Sequence, residues 1–397
     1  MAFFKRHKNY LLVIFISAFM GLLGGTIGAA FYHTLHFVTD LRGKHPWLLY
    51  FLVLGGFLTV LIYKLLKVEN QDISNVFSSV KMGDKVSPLL FPAVFLGTTI
   101  TQLFGGSAGK EGAALQIGGS ISVFLLKKFG ITGKNAKAVI LCGLAAVFSA
   151  VFATPLTAVA FALEIVFISR RFYFKAILPV SLSSVLAFKA ARFLGVSSAR
   201  IYIGKAPALT VGNALKGLAV ILVCVGGCLL FCLTLHTFDD LFKRFFKNAY
   251  LRVAVGGVLI IGLTMLVGNY DYNGGGMDII KEVLKTGRAV WFAFLLKILF
   301  TAVTNAAGYK GGEIVPALFI GATLGALAGG LIGFNPVFAA AVGMITLFGG
   351  ATKCTVAAFM LSLEFFGLSG ALYFALAALI SRVLTFNIGL YTHNKKA

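Results

Sequence analysis

Gly105-Gly106-Ser107-Ala108-Gly109-Lys110-Glu111-Gly112-Ala113-Ala114-Leu115-Gln116-Ile117-Gly118-Gly119 is glycine-rich at its start and helical in pattern at its end. Apolar segments lie on both sides, so Lys110 and Glu111 stand where a bilayer or a packed bundle surrounds them. A glycine turn that opens onto a helix leaves backbone N–H groups without intrahelical partners, and the positive end of the helix dipole adds to them. Such a terminus attracts anions. Glu111, at the first helical positions, fills that site as a tethered anion or else serves as a helix cap. A carboxylate at membrane depth is costly and by default marks function.

Outward from this stretch the composition identifies the class. Of 397 residues 59% are hydrophobic and 12% charged, and the mean hydropathy is +0.93. The chain is therefore a polytopic membrane protein. Apolar stretches begin near Leu11, Trp47, Pro88, Gly112, Lys137, Thr154, Phe172, Gly212, Val253, Trp291, Ile314, Pro336, Cys354 and Leu372. Several are shorter than the roughly 20 residues a span needs. The first begins like a signal peptide but runs on through Ala30 and is read as a membrane helix.

Charge follows the segment ends. The 35 Lys and Arg outnumber 13 Asp and Glu, a net +22. They gather at Lys5, Arg6 and Lys8, at Lys127 and Lys128, at Arg170 and Arg171, at Lys243, Arg244 and Lys247, and at Lys395 and Lys396. This is the loop decoration of a membrane protein and not a nucleic-acid face, and basic ends place both termini in the cytoplasm. Cys224, Cys228 and Cys232 share one helix face and are read as small-residue packing rather than a metal ladder. No metal site and no cofactor is expected.

The second half repeats the landmarks of the first. Gly55-Gly56 answers Gly256-Gly257, Asp72-Ile73 answers Asp278-Ile279, and Glu111 answers Glu313. Gly143, Phe148 and Glu164 then answer Gly343, Phe348 and Glu364. Duplicated halves of membrane transporters commonly form inverted repeats with broken helices that hold an ion near the midplane. The glycine runs before Glu111, Met277 and Glu313 are the expected breaks, each leading into an apolar helical stretch. The expected repeats are 1–205 and 206–397, with the boundary between about Arg200 and Lys216.

Gly109-Lys110-Glu111-Gly112-Ala113, with Gly311-Gly312-Glu313-Ile314-Val315-Pro316 and the tyrosine of Leu390-Tyr391, resembles the CLC chloride channel and transporter family. The likeness runs from the first helix to Tyr391. It implies an all-α polytopic membrane fold with an inverted two-fold repeat and re-entrant helices, a homodimer with one pore per subunit, and Glu111 as the gating and proton-coupling glutamate. It also implies that the family's soluble CBS pair is absent. The anion-binding positions it carries over are Gly109, Lys110 and Gly112, with Val315 and Tyr391, whose phenol donates to a dehydrated anion. Asn70 stands where the family's serine is expected and offers an amide donor instead of a hydroxyl.

Four departures narrow the expectation. Ala113 replaces the motif proline, the Gly-Ser-Gly-Ile-Pro loop is missing, Ile165 follows Glu164 where proton-coupled chloride exchangers carry a second glutamate, and Glu313 occupies the later loop. The altered serine loop together with the glutamate in the later loop is similar to the fluoride-exporting branch, and the missing second glutamate points the same way. The expected activity is fluoride/proton antiport across the cell membrane, with Glu111 and Glu313 as the acids; a chloride channel or chloride/proton exchanger of the same family is the alternative. Gly105-Gly106-Ser107-Ala108-Gly109 also satisfies the nucleophile pattern Gly-x-Ser-x-Gly. That chemistry needs a base, and His7, His33, His36, His45, His236 and His393 all lie near segment ends or termini. The chain is read as a transporter of anion and proton surrounded by lipid, not as an enzyme.

Overall fold

The computed structural model describes residues 2–82, 86–166 and 169–391; Lys395 and Lys396 lie outside them. The first half contains α1 (Ala2–Lys44), a 3-10 turn (Pro46–Phe51), α2 (Leu52–Leu65), α3 (Ile73–Met82), α4 (Leu90–Leu103), α5 (Glu111–Phe129), α6 (Gly133–Phe152), α7 (Pro155–Ile165) and α8 (Arg170–Phe193). The second contains α9 (Val211–Phe245), α10 (Ala249–Val267), α11 (Met277–Thr286), α12 (Ala293–Ala307), α13 (Ile314–Leu331), α14 (Pro336–Thr352), α15 (Thr355–Phe366) and α16 (Ala371–Leu384). Every apolar stretch named above becomes a helix. Seven described helices are long and apolar enough to cross a membrane. By contrast α7 and α15 have 11 and 12 residues, about 17 Å at 1.5 Å per residue, and stop well short of the roughly 30 Å hydrocarbon core.

The two lists match helix for helix, and the backbone repeats with them. Left-handed residues pair across the halves: Lys67 with Gly268, Gly105 with Gly308, Gly130 with Gly333, and Ala153 with Lys353. The glycine run before Met277 departs from expectation, because α11 is short and amphipathic, not apolar. Its sequence Met-Asp-Ile-Ile-Lys-Glu-Val-Leu-Lys-Thr buries only Ile280, Val283 and Leu284. Its counterpart α3 is also short and polar enough to read as loop. Asp72 starts α3 by accepting the Ser74 and Asn75 N–H groups at 2.8 and 3.3 Å, a side-chain cap for groups that have no helical acceptor.

Packing divides the chain into two compact units that do not follow the sequence halves. One holds the chain up to Phe37, Ile62–Leu96 and Glu111–Ala199; the other holds Val38–Leu61, Gly97–Lys110 and the chain from Arg200. Inside the first, α5 and α6 cross at Gly118 and Gly143, where a Cβ on Gly118 would lie 2.1 Å from the Gly143 carbonyl oxygen. Ala29, Ala146, Ala150, Ala187, Ala191 and Val196 form a neighbouring core. Inside the second, α13 and α14 cross in the same way at Gly321 and Gly343. Cys224, Cys228 and Cys232 are fully buried, with the Cys224 and Cys228 sulfurs against Gly343 and Gly350. In lipid, helices associate through close packing of small residues, and these crossings are made that way.

A Cβ at residue 321 would stand 2.4 Å from the Gly343 oxygen, whereas one at Gly226 meets nothing within 4 Å. Gly321→Ala is therefore expected to cost about 1–3 kcal/mol of stability by overpacking, and Gly226→Ala to cost little. Thermal unfolding of the purified variants in detergent measures both.

Candidate anion site at three glycine loops

The second unit brings together three loops that the chain keeps far apart. Gly109 donates its N–H to the Gly312 carbonyl at 2.6 Å, and Gly312 returns the bond to Gly109 at 2.9 Å. This pair is an isolated antiparallel bridge. The third loop precedes α11: Gly274 N–H donates to the Gly106 carbonyl at 3.0 Å, and Asn273 Nδ2 donates to the Gly105 carbonyl at 2.8 Å. Side chains close the cluster. Ser107 N–H donates to Thr304 Oγ1 at 3.0 Å and its hydroxyl lies 3.1 Å from that of Thr301. Lys310 N–H donates to Thr101 Oγ1 at 3.1 Å, Gln102 Nε2 donates to the Ala108 carbonyl, and Arg42 Nη1 donates to the Gln102 carbonyl at 2.5 Å.

Glycine is required at residue 311 by distance. A Cβ on Gly311 would stand 2.3 Å from that of Ala108, and one on Gly275 would touch Val315 at 3.4 Å and Gly109 Cα at 3.9 Å. The repeated landmark Gly55-Gly56 and Gly256-Gly257 has a related cause. Tyr309 places its hydroxyl 3.0 Å from the carbonyl oxygens of both Leu52 and Val253, and a Cβ on Gly56 or Gly257 would come within 2.9 or 2.6 Å of that hydroxyl.

Each candidate residue has a definite place. Gly109 is buried in the bridge and Lys110 beside it is half-buried. Glu111, fully buried, is the first residue of α5, and buried Gly112 follows it. Val315 is buried in the first turn of α13. Glu313 occupies the N-cap position of α13, but its side chain makes no capping hydrogen bond; Oε1 instead accepts from Asn305 Nδ2 at 3.0 Å. Tyr391, half-buried, follows Leu390, whose N–H donates to the Ala351 carbonyl at 2.8 Å. Asn70 is exposed in the turn after α2, two residues before the Asp72 that caps α3. Glu164 and Glu364 are half-buried near the ends of α7 and α15.

The sequence reading passed over the residues that hold the loops. Thr301, Thr304 and Asn305 lie at i, i+3 and i+4 on α12, which puts them on one face of an otherwise apolar helix. That polar stripe was the available signal. Lys297 on the same helix was another, a lone cation in an apolar segment; it is fully buried. Ser107 of the nucleophile-like pattern spends its N–H and hydroxyl on α12, as a fastener of the loop.

Because Gly311 leaves no room, Gly311→Ala is expected to push the Gly109–Gly312 pair apart. Anion flux in proteoliposomes should drop by roughly tenfold or more, the effect expected when a site is displaced by about 1 Å, while Gly262→Ala, at a position with nothing within 4 Å, should leave flux unchanged.

Comparison with known proteins agrees with this geometry. A solved structure described as a CLC-type fluoride/proton antiporter superposes with a TM-score of 0.91 at 28% identity, covering 96% of this chain and 97% of that one. A slow cyanobacterial Cl-/H+ antiporter superposes at 0.80 and 20% identity, over 96% of each chain, a likeness of fold alone. Among curated relatives, the chloride/fluoride channel protein of Pseudomonas syringae pv. tomato is 29% identical over 384 residues, 95% of this chain and 84% of the relative. The H(+)/Cl(-) exchange transporter ClcA of Salmonella typhi is 27% identical over 356 residues, 82% of this chain and 73% of the relative. The family model for the voltage gated chloride channel matches residues 55–385, which is most of the chain, and this multi-pass helical membrane protein belongs to that family.

Proposed function

We propose that this chain exports fluoride in exchange for protons, with Glu111 as the coupling group and Glu313 as its partner acid. The observation that carries the reading is the Glu313 side chain, which stands at a helix N-cap yet turns away from capping to accept from Asn305. A carboxylate that merely ended α13 would bond the free N–H groups of its first turn. The likeness to a fluoride/proton antiporter and to a chloride/fluoride channel protein supports the same reading.

The mechanism follows from one group that answers to two ions. Glu111 begins α5 directly after the bridged loop, so its carboxylate occupies the position that suits a permeant anion. A bound anion displaces it, and a proton taken up by the carboxylate removes its claim on the site. Glu313 supplies the second acid of the proposed cycle. The anion-binding positions of the proposal are Gly109, Lys110, Gly112, Val315 and Tyr391, with Asn70 as an amide donor. Fluoride enters a cell as neutral HF and dissociates at the higher internal pH, so an inward proton gradient is a suitable energy source for expelling it. Two inverted repeats divided near residue 205, a homodimer in lipid and cytoplasmic termini complete the proposal. Relatives that exchange H(+) and Cl(-) favour chloride as the alternative cargo.

Electrode-recorded efflux from proteoliposomes, fluoride against chloride, with and without a pH gradient, decides between them. Glu111→Gln and Glu111→Ala are expected to lower proton-coupled flux by roughly a hundredfold or more, the usual worth of a positioned proton carrier; unchanged coupled flux in both refutes the assignment. Glu313→Ala should reduce fluoride preference or the proton-to-anion ratio by about fivefold or more, with folding retained, whereas Glu364→Gln should do neither. A Glu313→Ala protein that keeps both properties returns Glu313 to a structural role and favours chloride.

A further inference from the structure

We infer that Lys297 is the positioning residue of the anion site, the fixed cation that holds its third glycine loop and adds positive potential there. Lys297 is fully buried in the middle of α12. Its ammonium donates to the Gly274 carbonyl at 2.6 Å and to the Tyr272 carbonyl at 3.1 Å, and lies 5.3 Å from the centre of the Phe319 ring on α13. A buried charge is retained in lipid only where bonds satisfy it, and such residues mark ion pathways.

What Lys297 holds is the loop behind the bridge. Between the two carbonyls it binds, Asn273 and Gly274 donate to the Gly105 and Gly106 carbonyls. One residue further on, a Cβ added at Gly275 would meet Val315 at 3.4 Å and the Gly109 Cα at 3.9 Å, so the loop runs alongside both. Lys297 thus reaches the anion-lining residues through one loop, and a displacement of its ammonium is passed to the wall formed by Val315 and Gly109. Carbonyl oxygens turned toward Lys297 are also turned toward a cation, which keeps these acceptors from repelling an anion. The unit positive charge acts where little water screens it, so it attracts an anion more strongly than an exposed lysine does.

This inference rests on the anion-transport reading above, and its test compares each variant with the parent for whichever anion the parent carries. Lys297→Gln retains an N–H donor and loses the charge; Lys297→Arg retains the charge. Initial rates from proteoliposomes over a range of fluoride and of chloride concentrations give KM and kcat separately. Lys297→Gln is expected to raise KM about tenfold, the scale of one weakly screened charge, with kcat changed less than about threefold. Lys297→Arg should restore KM to within about threefold of the parent. An unchanged KM in Lys297→Gln, or an equal rise in Lys297→Arg, overturns the inference. Should Lys297→Gln fail to fold, Phe319→Leu removes the ring beside the ammonium and should raise KM about two- to threefold; an unchanged value there overturns it also. A parent that moves chloride and not fluoride refutes the fluoride reading while leaving the Lys297 test intact.

Discussion

Two hydrogen bonds between Gly109 and Gly312 carry the organisation of this protein. Irregular backbone at membrane depth has no water to satisfy its N–H and C=O groups, and each unsatisfied group costs several kcal/mol. Two broken helices would leave such groups exposed at the same depth. The chain solves the problem by letting one break satisfy the other, through bonds of 2.6 and 2.9 Å. Beside the paired bonds, Gly311 passes so near Ala108 that a Cβ would stand 2.3 Å from that of Ala108, which explains a glycine at that place. Once the breaks are paired, the starts of α5 and α13 are fixed relative to their own loops, and chemistry can be placed on them.

The rest of the second unit serves that contact. Thr301 and Thr304 fasten Ser107, Asn273 fastens Gly105, and Thr101 receives Lys310 N–H. These are short side chains bonding to backbone or to another hydroxyl, a choice that suits lipid because each leaves few polar atoms of its own to satisfy. The helix crossings use the same economy. Gly118 with Gly143 and Gly321 with Gly343 bring backbones together where a Cβ would meet the facing carbonyl oxygen.

The sequence carried much of this and missed the rest for physical reasons. The glycine loops, Glu111 and the duplicated order are legible because apolar runs and their interruptions are long-range patterns in composition. The short helices α3 and α11 were not, since ten residues of amphipathic sequence between long apolar segments look like loop. Glu313 was visible as a residue but ambiguous as a cap; its bond from Asn305, in place of a capping bond, is what the structure adds. Lys297 and the Thr301, Thr304, Asn305 stripe stood in plain sight on α12. Lys297 and Thr304 meet backbone groups on other loops, Thr301 and Asn305 meet the Ser107 hydroxyl and the Glu313 carboxylate, and no local pattern announces partners so distant in the chain. Asn70 was located by spacing alone, and it stands exposed in the turn after α2.

The tyrosine between α2 and α10 bears on the history of the duplication. Gly56 and Gly257 are corresponding positions, and together they form a slot lined equally by both halves. Its occupant, Tyr309, comes from one half alone, and the corresponding place in the other half is Gly106. One hydroxyl proton is shared by two carbonyls, so the slot has room for one phenol and work for one. Two identical halves would bring either two rings or none. The fused chain has therefore become irreversibly unequal at this point: neither half, joined to a second copy of itself, can rebuild the joint that now holds α2 to α10.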